Sequence, residues 1–178
     1  MKLAKLVEEF VTGMGWEDEL DTEEEYDTET GYRVISQIPL NIENQIFRLY
    51  IDAIEASEWL MITIYPPYRV NEGKYVDACM LFNYFNCFYS YGGRISVEDN
   101  GAIRYRQIID VSETEPSKRL IHNMLVSGIE MFEDNAENIA SIALTTKTYE
   151  AIRENIEKKA AIQKARTDEK FNRGDAVV

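Results

Sequence analysis

The chain of 178 residues, 45% of them hydrophobic and 11% aromatic, fits one globular domain with a substantial core. Its formal net charge of −13 repels phosphate groups, so we expect neither nucleic acid nor an anionic membrane as a partner. Glu8 and Glu9 interrupt the N-terminal apolar run before a signal peptide forms, and no stretch approaches the roughly 18 apolar residues of a membrane span. We therefore expect a cytoplasmic protein.

The chain opens with an amphipathic helix and continues into an acidic segment. Apolar residues recur at helical spacing from Leu3 to Met14, and Gly13 or Gly15 can end the helix. Residues 16–30 then contain nine acids and no base, which is typical of a solvated connection. An acidic docking stretch and a divalent-cation loop are the alternatives, although an EF-hand register from Asp21 would place Tyr26 where glycine is needed.

Three strands are predicted next, at residues 31–40, 46–54 and 59–65. In each of them apolar residues recur at every second position, which favours an antiparallel meander with one solvated face. The connections are short, and Pro66-Pro67 ends the third strand. The solvated face of this strand is predicted to bind a partner protein through Trp59, Met61 and Tyr65.

Residues 74–91 form the most apolar segment, and their spacing predicts a helix that ends at Gly92-Gly93. One apolar stripe consists of Tyr75, Ala78, Phe82, Phe85 and Tyr89, and a second of Val76, Met80, Tyr84, Cys87 and Tyr91. A helix with two apolar faces must be covered on two sides. The sheet supplies one cover, and another helix or a second subunit must supply the other.

A polar stripe of Asn83, Asn86 and Ser90 runs between the two apolar stripes. Buried asparagine side chains need hydrogen-bond partners. They either cap strand ends within one subunit or lie at a dimer or ligand contact. The candidate dimer or partner contact comprises Met80, Asn83, Tyr84, Asn86, Cys87 and Tyr91.

Cys79 and Cys87 are the two cysteines, and both fall in the predicted central helix. Eight residues at about 1.5 Å rise separate them by roughly 12 Å, which is beyond the reach of a disulfide. We expect both thiols to be reduced and buried, as in a reducing compartment.

The last part of the chain predicts a hairpin followed by helices. Strands at residues 94–98 and 102–111 flank Asp99-Asn100-Gly101, a tight-turn sequence. A helix opens at Thr114-Glu115-Pro116-Ser117, breaks near Asp134-Asn135 and resumes over residues 136–144. These elements predict one α+β domain over residues 1–145, a basic C-terminal helix over 146–170 and a frayed tail over 171–178.

The sequence contains no pattern that predicts catalysis, a metal site or a cofactor. His122, the one histidine, lies at the edge of an apolar stripe, and two cysteines with one histidine fall short of a structural zinc site. Neither a dinucleotide-binding nor a P-loop glycine pattern occurs. We therefore predict that the protein is not an enzyme and needs no cofactor.

The order α-β-β-β-α-β-β-α resembles the type III secretion chaperone-like fold. Within that fold the chain is similar to the YbjN family, described as bacterial sensory transduction regulators. The likeness spans residues 31 to about 144 and includes Leu81-Phe82-Asn83-Tyr84-Phe85-Asn86, the hairpin around Asp99-Asn100-Gly101 and the helix from Leu120 to Phe132. The resemblance implies a small acidic protein, often a dimer, that binds other proteins. The basic helix after Thr146 is extra to the fold.

Two functions follow from these observations. The first is a homodimeric interaction module, a YbjN-like regulator or chaperone-like adaptor, that binds a client or regulatory protein. The second is a small-molecule sensor with a pocket between the central helix and the sheet, anchored by Asn83 and Asn86. The basic helix could also dock on the acidic segment, within or between subunits.

Overall fold

The computed structural model describes residues 2–16, 32–39 and 45–172. In this part of the chain the elements are α1 (Lys2–Gly13), β1 (Tyr32–Pro39), β2 (Ile46–Ile54), β3 (Trp59–Tyr65), α2 (Tyr75–Phe88), β4 (Arg94–Val97), β5 (Ile103–Asp110), α3 (Lys118–Leu144) and α4 (Tyr149–Asn172). The α+β class and the order of elements predicted from the sequence are confirmed. The acidic segment after Trp16 and the tail after residue 172 lie outside the described residues, and so do the predictions made for them.

The five strands form one antiparallel sheet in the order β1-β2-β3-β5-β4. Side chains alternate between its two faces because successive residues of a strand point to opposite sides. The inner face is buried under the helices and carries Phe47, Leu49, Ile51, Leu60, Ile62, Ile64, Ile103 and Tyr105. The outer face carries the polar and aromatic residues of the same strands, beginning with Arg48, Tyr50 and Asp52.

Helices α1 and α3 cover the inner face. Phe132 of α3 meets Phe47 of β2 edge-on, with ring centroids 5.0 Å apart. The predicted break at Asp134-Asn135 is wrong, since α3 runs without interruption from Lys118 to Leu144. Asn135 fits into a continuous helix because its buried amide donates to the Met131 carbonyl, one turn earlier, at 3.0 Å.

The loop from α2 to β4 packs tightly on Tyr105. The backbone N–H of Gly93 donates to the Tyr105 hydroxyl at 2.8 Å, and a Cβ at Gly93 would lie 2.5 Å from the tyrosine ring. The Gly92-Gly93 pair therefore serves close packing, whereas α2 ends earlier, at Phe88. On the opposite side, a Cβ at Gly128 of α3 would lie 2.7 Å from the same ring. Burial raises the pKa of Tyr105, so its hydroxyl stays protonated.

Helix α4 is attached by its first two turns. The Asp77 carboxylate accepts hydrogen bonds from the Lys74 ammonium and from the Tyr149 backbone N–H, the latter at 2.9 Å, and these bonds lower the pKa of Asp77. Ile152 is buried, and Ile156 packs against the core. From residue 157 to residue 168 the side chains are exposed, and in this part Lys159 donates to Glu137 of α3 at 3.0 Å. None of the helices described is long and apolar enough to cross a membrane.

Replacing Gly128 with alanine is expected to destabilise the domain because the new methyl group would collide with Ile64 and Tyr105. Overpacking of this kind costs about 1–3 kcal/mol. Gly13→Ala is the matched control, since it adds the same methyl group to a helix with nothing within 4 Å. Urea denaturation should give a free energy of unfolding that is lower for Gly128→Ala than for Gly13→Ala. Equal values would show that the packing around Tyr105 is loose.

Candidate protein-interaction surfaces

The strand register arranges the outer-face residues in rows across the sheet. Asp52, Met61 and Ile108 form one row, and Arg48 pairs with Tyr65 in another. Between these rows lies a third that spans four strands, composed of Tyr50, Thr63, Arg106 and Arg94. The outer face thus combines aromatic side chains with guanidinium groups and lacks the aliphatic packing of the inner face.

A cleft of about 670 Å³ opens on this outer face, between the strands and the segment that follows β3. A backbone hydrogen bond of 2.9 Å from Val70 to Gly101 holds that segment against the β4–β5 turn, where Gly101 adopts a φ of +80°. The side chains and backbone that line the cleft include Arg48, Tyr50, Asp52, Thr63, Tyr65, Pro66, Pro67, Tyr68, Arg69, Glu98 and Asn100. A site of this volume is large enough for part of a peptide or for a small molecule.

One wall of the cleft is fixed by a hydrogen-bonded network. The Tyr65 hydroxyl donates to Glu98 Oε1 at 3.1 Å, and Arg104 Nη1 donates to the same oxygen at 2.8 Å. Tyr50 packs edge-on against Tyr65, with ring centroids 5.6 Å apart. Burial and the Glu98 carboxylate raise the pKa of Tyr65, which remains a neutral hydrogen-bond donor. The two rings therefore form a preorganised aromatic surface with a polar rim.

The three residues predicted to form a partner-binding face do lie together on the outer side of β3, but their exposure differs. Trp59 is 41% exposed and Tyr65 is half-buried. Met61 is only 6% exposed, and Arg106 Nε lies 2.8 Å from its sulfur. Tyr65 lines the cleft, whereas Trp59 does not. Sequence reasoning missed the cleft because its second wall comes from the Pro66–Arg69 segment, which carries no strand pattern.

Helix α2 has one buried and one exposed apolar face. Ala78, Leu81, Phe82 and Phe85 are buried in the core. On the opposite face Val76 and Met80 are 74% and 44% exposed, and Phe88, at the end of the helix beside Tyr84, is 71% exposed. The prediction of buried cysteines is wrong, because Cys79 and Cys87 are both exposed there. Their residue type suggested the core, but their helical positions fall away from the sheet.

Asn86 binds the edge of the sheet. Its amide nitrogen donates to the Ile95 carbonyl at 2.9 Å, and its amide oxygen accepts from the Ile95 N–H at 3.0 Å. Strand β4 is at the end of the sheet, so the side chain takes the place of a neighbouring strand at this residue. The first of the two alternatives, a cap within one subunit, therefore holds for Asn86. Asn83 is exposed, and its amide oxygen lies 3.9 Å from the Cys87 sulfur.

Of the other residues in the predicted contact on α2, some are packed against other helices and some are at the surface. The Tyr91 hydroxyl donates to Asp134 Oδ2 at 2.7 Å, so this residue contacts α3. Burial and this hydrogen bond raise the pKa of Tyr91. Tyr84 is half-buried beneath α4, with the Arg153 guanidinium 5.9 Å from its ring centroid. Met80, Asn83 and Cys87 remain at the surface, and Val76 and Phe88 join them.

The predicted ligand pocket between the central helix and the sheet is filled by side chains. Leu81 and Phe85 are completely buried at that contact, and neither Asn83 nor Asn86 lines the cleft. The cleft lies on the other side of the sheet. His122 is exposed on α3, and in the ranges that the structure describes no three His, Cys, Asp or Glu residues are grouped to hold a metal ion.

Truncating Asn86 to alanine is expected to lower the free energy of unfolding, because it leaves the N–H and C=O of Ile95 without their partner. An unsatisfied buried group costs about 1–3 kcal/mol. Asn83→Ala, on the same helix but exposed, should change stability by less than about 0.5 kcal/mol. Chemical denaturation of the two variants and the parent chain measures the difference. Similar losses for both would show that the Asn86 side chain does not support β4.

The fold is that of a type III secretion chaperone-like protein. A chain of the HopA1–SchA chaperone–effector complex superimposes with a TM-score of 0.52, at 14% identity, over 76% of this chain and 95% of that chain. A chain of the ExsC–ExsE complex gives a TM-score of 0.46, at 14% identity, over 75% and 92%. At this identity the first likeness shows the fold alone.

The sequence matches a family model over residues 3–141, that of YbjN, "Putative bacterial sensory transduction regulator". The chain therefore belongs to the YbjN family, as its resemblance predicted. Helix α4 lies beyond the matched residues. A comparison with curated protein sequences finds no match.

Proposed function

We propose that this protein is a non-enzymatic, cytoplasmic adaptor that holds a segment of a client or regulatory protein on the outer face of its sheet. The observation that carries this proposal is the cleft of about 670 Å³ between the strands and the Pro66–Arg69 segment. Its tyrosines and prolines offer large, rigid contact areas that lose little conformational entropy on binding. Membership of a regulator family and the chaperone-like fold support the same proposal.

The outer face suits a peptide because it is open along the strands. Half-buried Tyr50, Tyr65 and Tyr68 present ring surface together with hydroxyl groups, the combination that is enriched at protein interfaces. Trp59 extends the aromatic surface beyond the cleft at the far end of β3. A bound segment would therefore find anchors over most of the strand length.

Site-specific photo-crosslinking tests this proposal. A photoreactive phenylalanine analogue at Trp59 should crosslink a client polypeptide in lysate of the native host, because the position is exposed at the rim of the outer face. The same analogue at His122, exposed on α3, is the control and should not capture that polypeptide. Capture from both positions, or from His122 alone, would contradict binding on the sheet.

We further propose that the exposed face of α2 forms the interface of a homodimer. Val76 and Met80 present apolar side chains next to Asn83 and Cys87, and Phe88 adds an exposed ring at the end of the helix. Exposed apolar side chains that are grouped together are typical of protein–protein contacts. A second copy of the same face would bury these side chains by a two-fold arrangement, in which each residue contacts its own counterpart or a neighbour.

If the protein is a homodimer through this face, a negative charge introduced there should separate the two subunits. Phe88→Glu should convert a species of twice 20.6 kDa into a monomer in light scattering, with the helical signal in circular dichroism unchanged. Ile162→Glu, at an exposed position of α4, should leave the mass unaltered. A parent chain that is monomeric at micromolar concentration, or a Phe88→Glu variant that stays dimeric, would refute this interface.

A small-molecule sensor is the second candidate, and the volume of the cleft favours it. The site would be the outer-face cleft, with Tyr65, Asn100 and Arg69 as polar contacts. A metabolite that binds the native state must raise the melting temperature. A thermal-shift screen without any stabilising compound would leave the adaptor as the better account.

A further inference from the structure

We infer that the outer face recognises an acidic segment of its partner polypeptide, through arginines placed around the cleft. This inference rests on the proposed function and names the chemistry of the client. The register places four strand arginines at outer-face positions: Arg48, Arg94, Arg104 and Arg106. The strands contain no lysine. The same strands place two acids, Asp52 and Asp110, on this face, so the arginines outnumber the acids there although the chain has a net charge of −13.

Most of the arginines on and beside this face form no ion pair with the residues that the structure describes. Arg104 is paired with Glu98 at 2.8 Å. Among the described residues, Arg48, Arg69, Arg94 and Arg106 have no carboxylate within ion-pair distance: Arg48 contacts the Tyr50 hydroxyl at 3.4 Å, and Arg106 contacts the Met61 sulfur. These four arginines are hereafter the free arginines. Within the described part of the chain no carboxylate neutralises their charge, so a carboxylate of a partner could pair with them.

Two of the free arginines stand directly opposite each other. Arg94 on β4 pairs with Arg106 on β5 in the strand register. Like charges in this arrangement destabilise a sheet. Folding therefore gains nothing from this pair, whereas a carboxylate that bridges the two side chains would relieve their repulsion. The pair continues the row of Tyr50 and Thr63, so a bound segment could run from the cleft to Arg94.

The other two free arginines line the cleft itself. Arg48 on β2 and Arg69 on the following segment are both exposed, and the aromatic wall of Tyr50 and Tyr65 lies beside them. Arginine binds carboxylates through two parallel N–H bonds and stacks on aromatic rings. A client that combines acidic residues with apolar or aromatic anchors fits this lining. A purely apolar segment would leave the guanidinium groups covered and unpaired.

Two carboxylates line the cleft as well: Glu98, which is paired with Arg104, and Asp52, which is 1% exposed. The negative charge on the rest of the molecule opposes an acidic ligand from a longer range. Interactions beyond about 8 Å are screened at physiological ionic strength, whereas contacts with Arg48 or Arg69 act at hydrogen-bond distance. A nucleic acid has a negative charge on every nucleotide, so the negatively charged protein would repel it along its whole length. A peptide with a few carboxylates between apolar residues meets the arginines and experiences less of this repulsion.

Fluorescence anisotropy with the full chain tests the inference. The probe is a fluorescein-labelled peptide in which glutamate alternates with leucine and phenylalanine, and the reference peptide has glutamine in place of each glutamate. The acidic peptide should bind at least about tenfold more tightly than the glutamine peptide. The double variant Arg48→Gln with Arg69→Gln should lose about tenfold in affinity for the acidic peptide. The loss should shrink at high salt.

The matched control is Lys158→Gln with Lys164→Gln, which removes the same charge from exposed positions of α4. It should leave the affinity unchanged. Equal losses in the two double variants, equal affinity for the two peptides, or tighter binding of a labelled single-stranded RNA would each overturn the inference.

Failure of the inference and failure of the proposed function can be told apart. If the peptides fail to discriminate but a client still crosslinks to Trp59 and not to His122, the sheet binds a client of another chemistry. If crosslinks from Trp59 and from Pro67, an exposed residue that lines the cleft, are both missing, binding on the outer face is itself refuted.

Discussion

The arrangement of the molecule depends on the two hydrogen bonds between Asn86 and Ile95. An edge strand exposes backbone N–H and C=O groups that would otherwise pair with any available strand. The Asn86 amide satisfies both groups of Ile95 and thereby sets α2 beside β4. With α2 held there, its Leu81 and Phe85 reach the inner core, and the outer face of the sheet stays clear of this helix.

Tyr105 connects the loop that follows α2 to helix α3. Its ring is buried between Gly93, in the loop that follows α2, and Gly128 of α3, where no larger residue fits. The Ser127 hydroxyl accepts the Gly92 N–H at 2.8 Å and lies 3.3 Å from the Tyr105 hydroxyl. The loop, strand β5 and helix α3 are therefore fixed relative to one another. Because β5 also carries Arg104 and Arg106, the same packing positions the arginines on the opposite side of the sheet.

Periodicity was enough to predict the order of elements, because the apolar period changes from helical to alternating where one kind of element gives way to the other, whereas the chaperone-like fold was implied by the resemblance to a known family. Periodicity could not predict details that depend on contacts distant in sequence. Asn135 looked like a helix break, yet its amide bonds one turn back along α3 and meets Tyr91. The cysteines looked like core residues, yet they belong to the exposed face of α2.

The candidate site was predictable only in part for the same reason. Alternation placed Trp59, Met61 and Tyr65 on one face of β3, but it could not show that Arg106 covers the sulfur of Met61. The cleft needs the Pro66–Arg69 segment, which reaches its place through the bond from Val70 to Gly101. The alternation of the strands does allow the arginines to be predicted, since Arg48, Arg104 and Arg106 all occupy positions on the solvated face.

The two proposed interaction surfaces are chemically different and share no residue. The exposed face of α2 is apolar and carries no charge at Val76, Met80 or Phe88, which suits a contact with an identical surface. The outer face of the sheet carries arginines, whose mutual repulsion disfavours a contact between two copies of that face. Self-association through α2 would therefore leave the cleft open, and a dimer would present two separate clefts. Two clefts on one dimer would allow two segments of a single client to bind together, which raises affinity without any new contact.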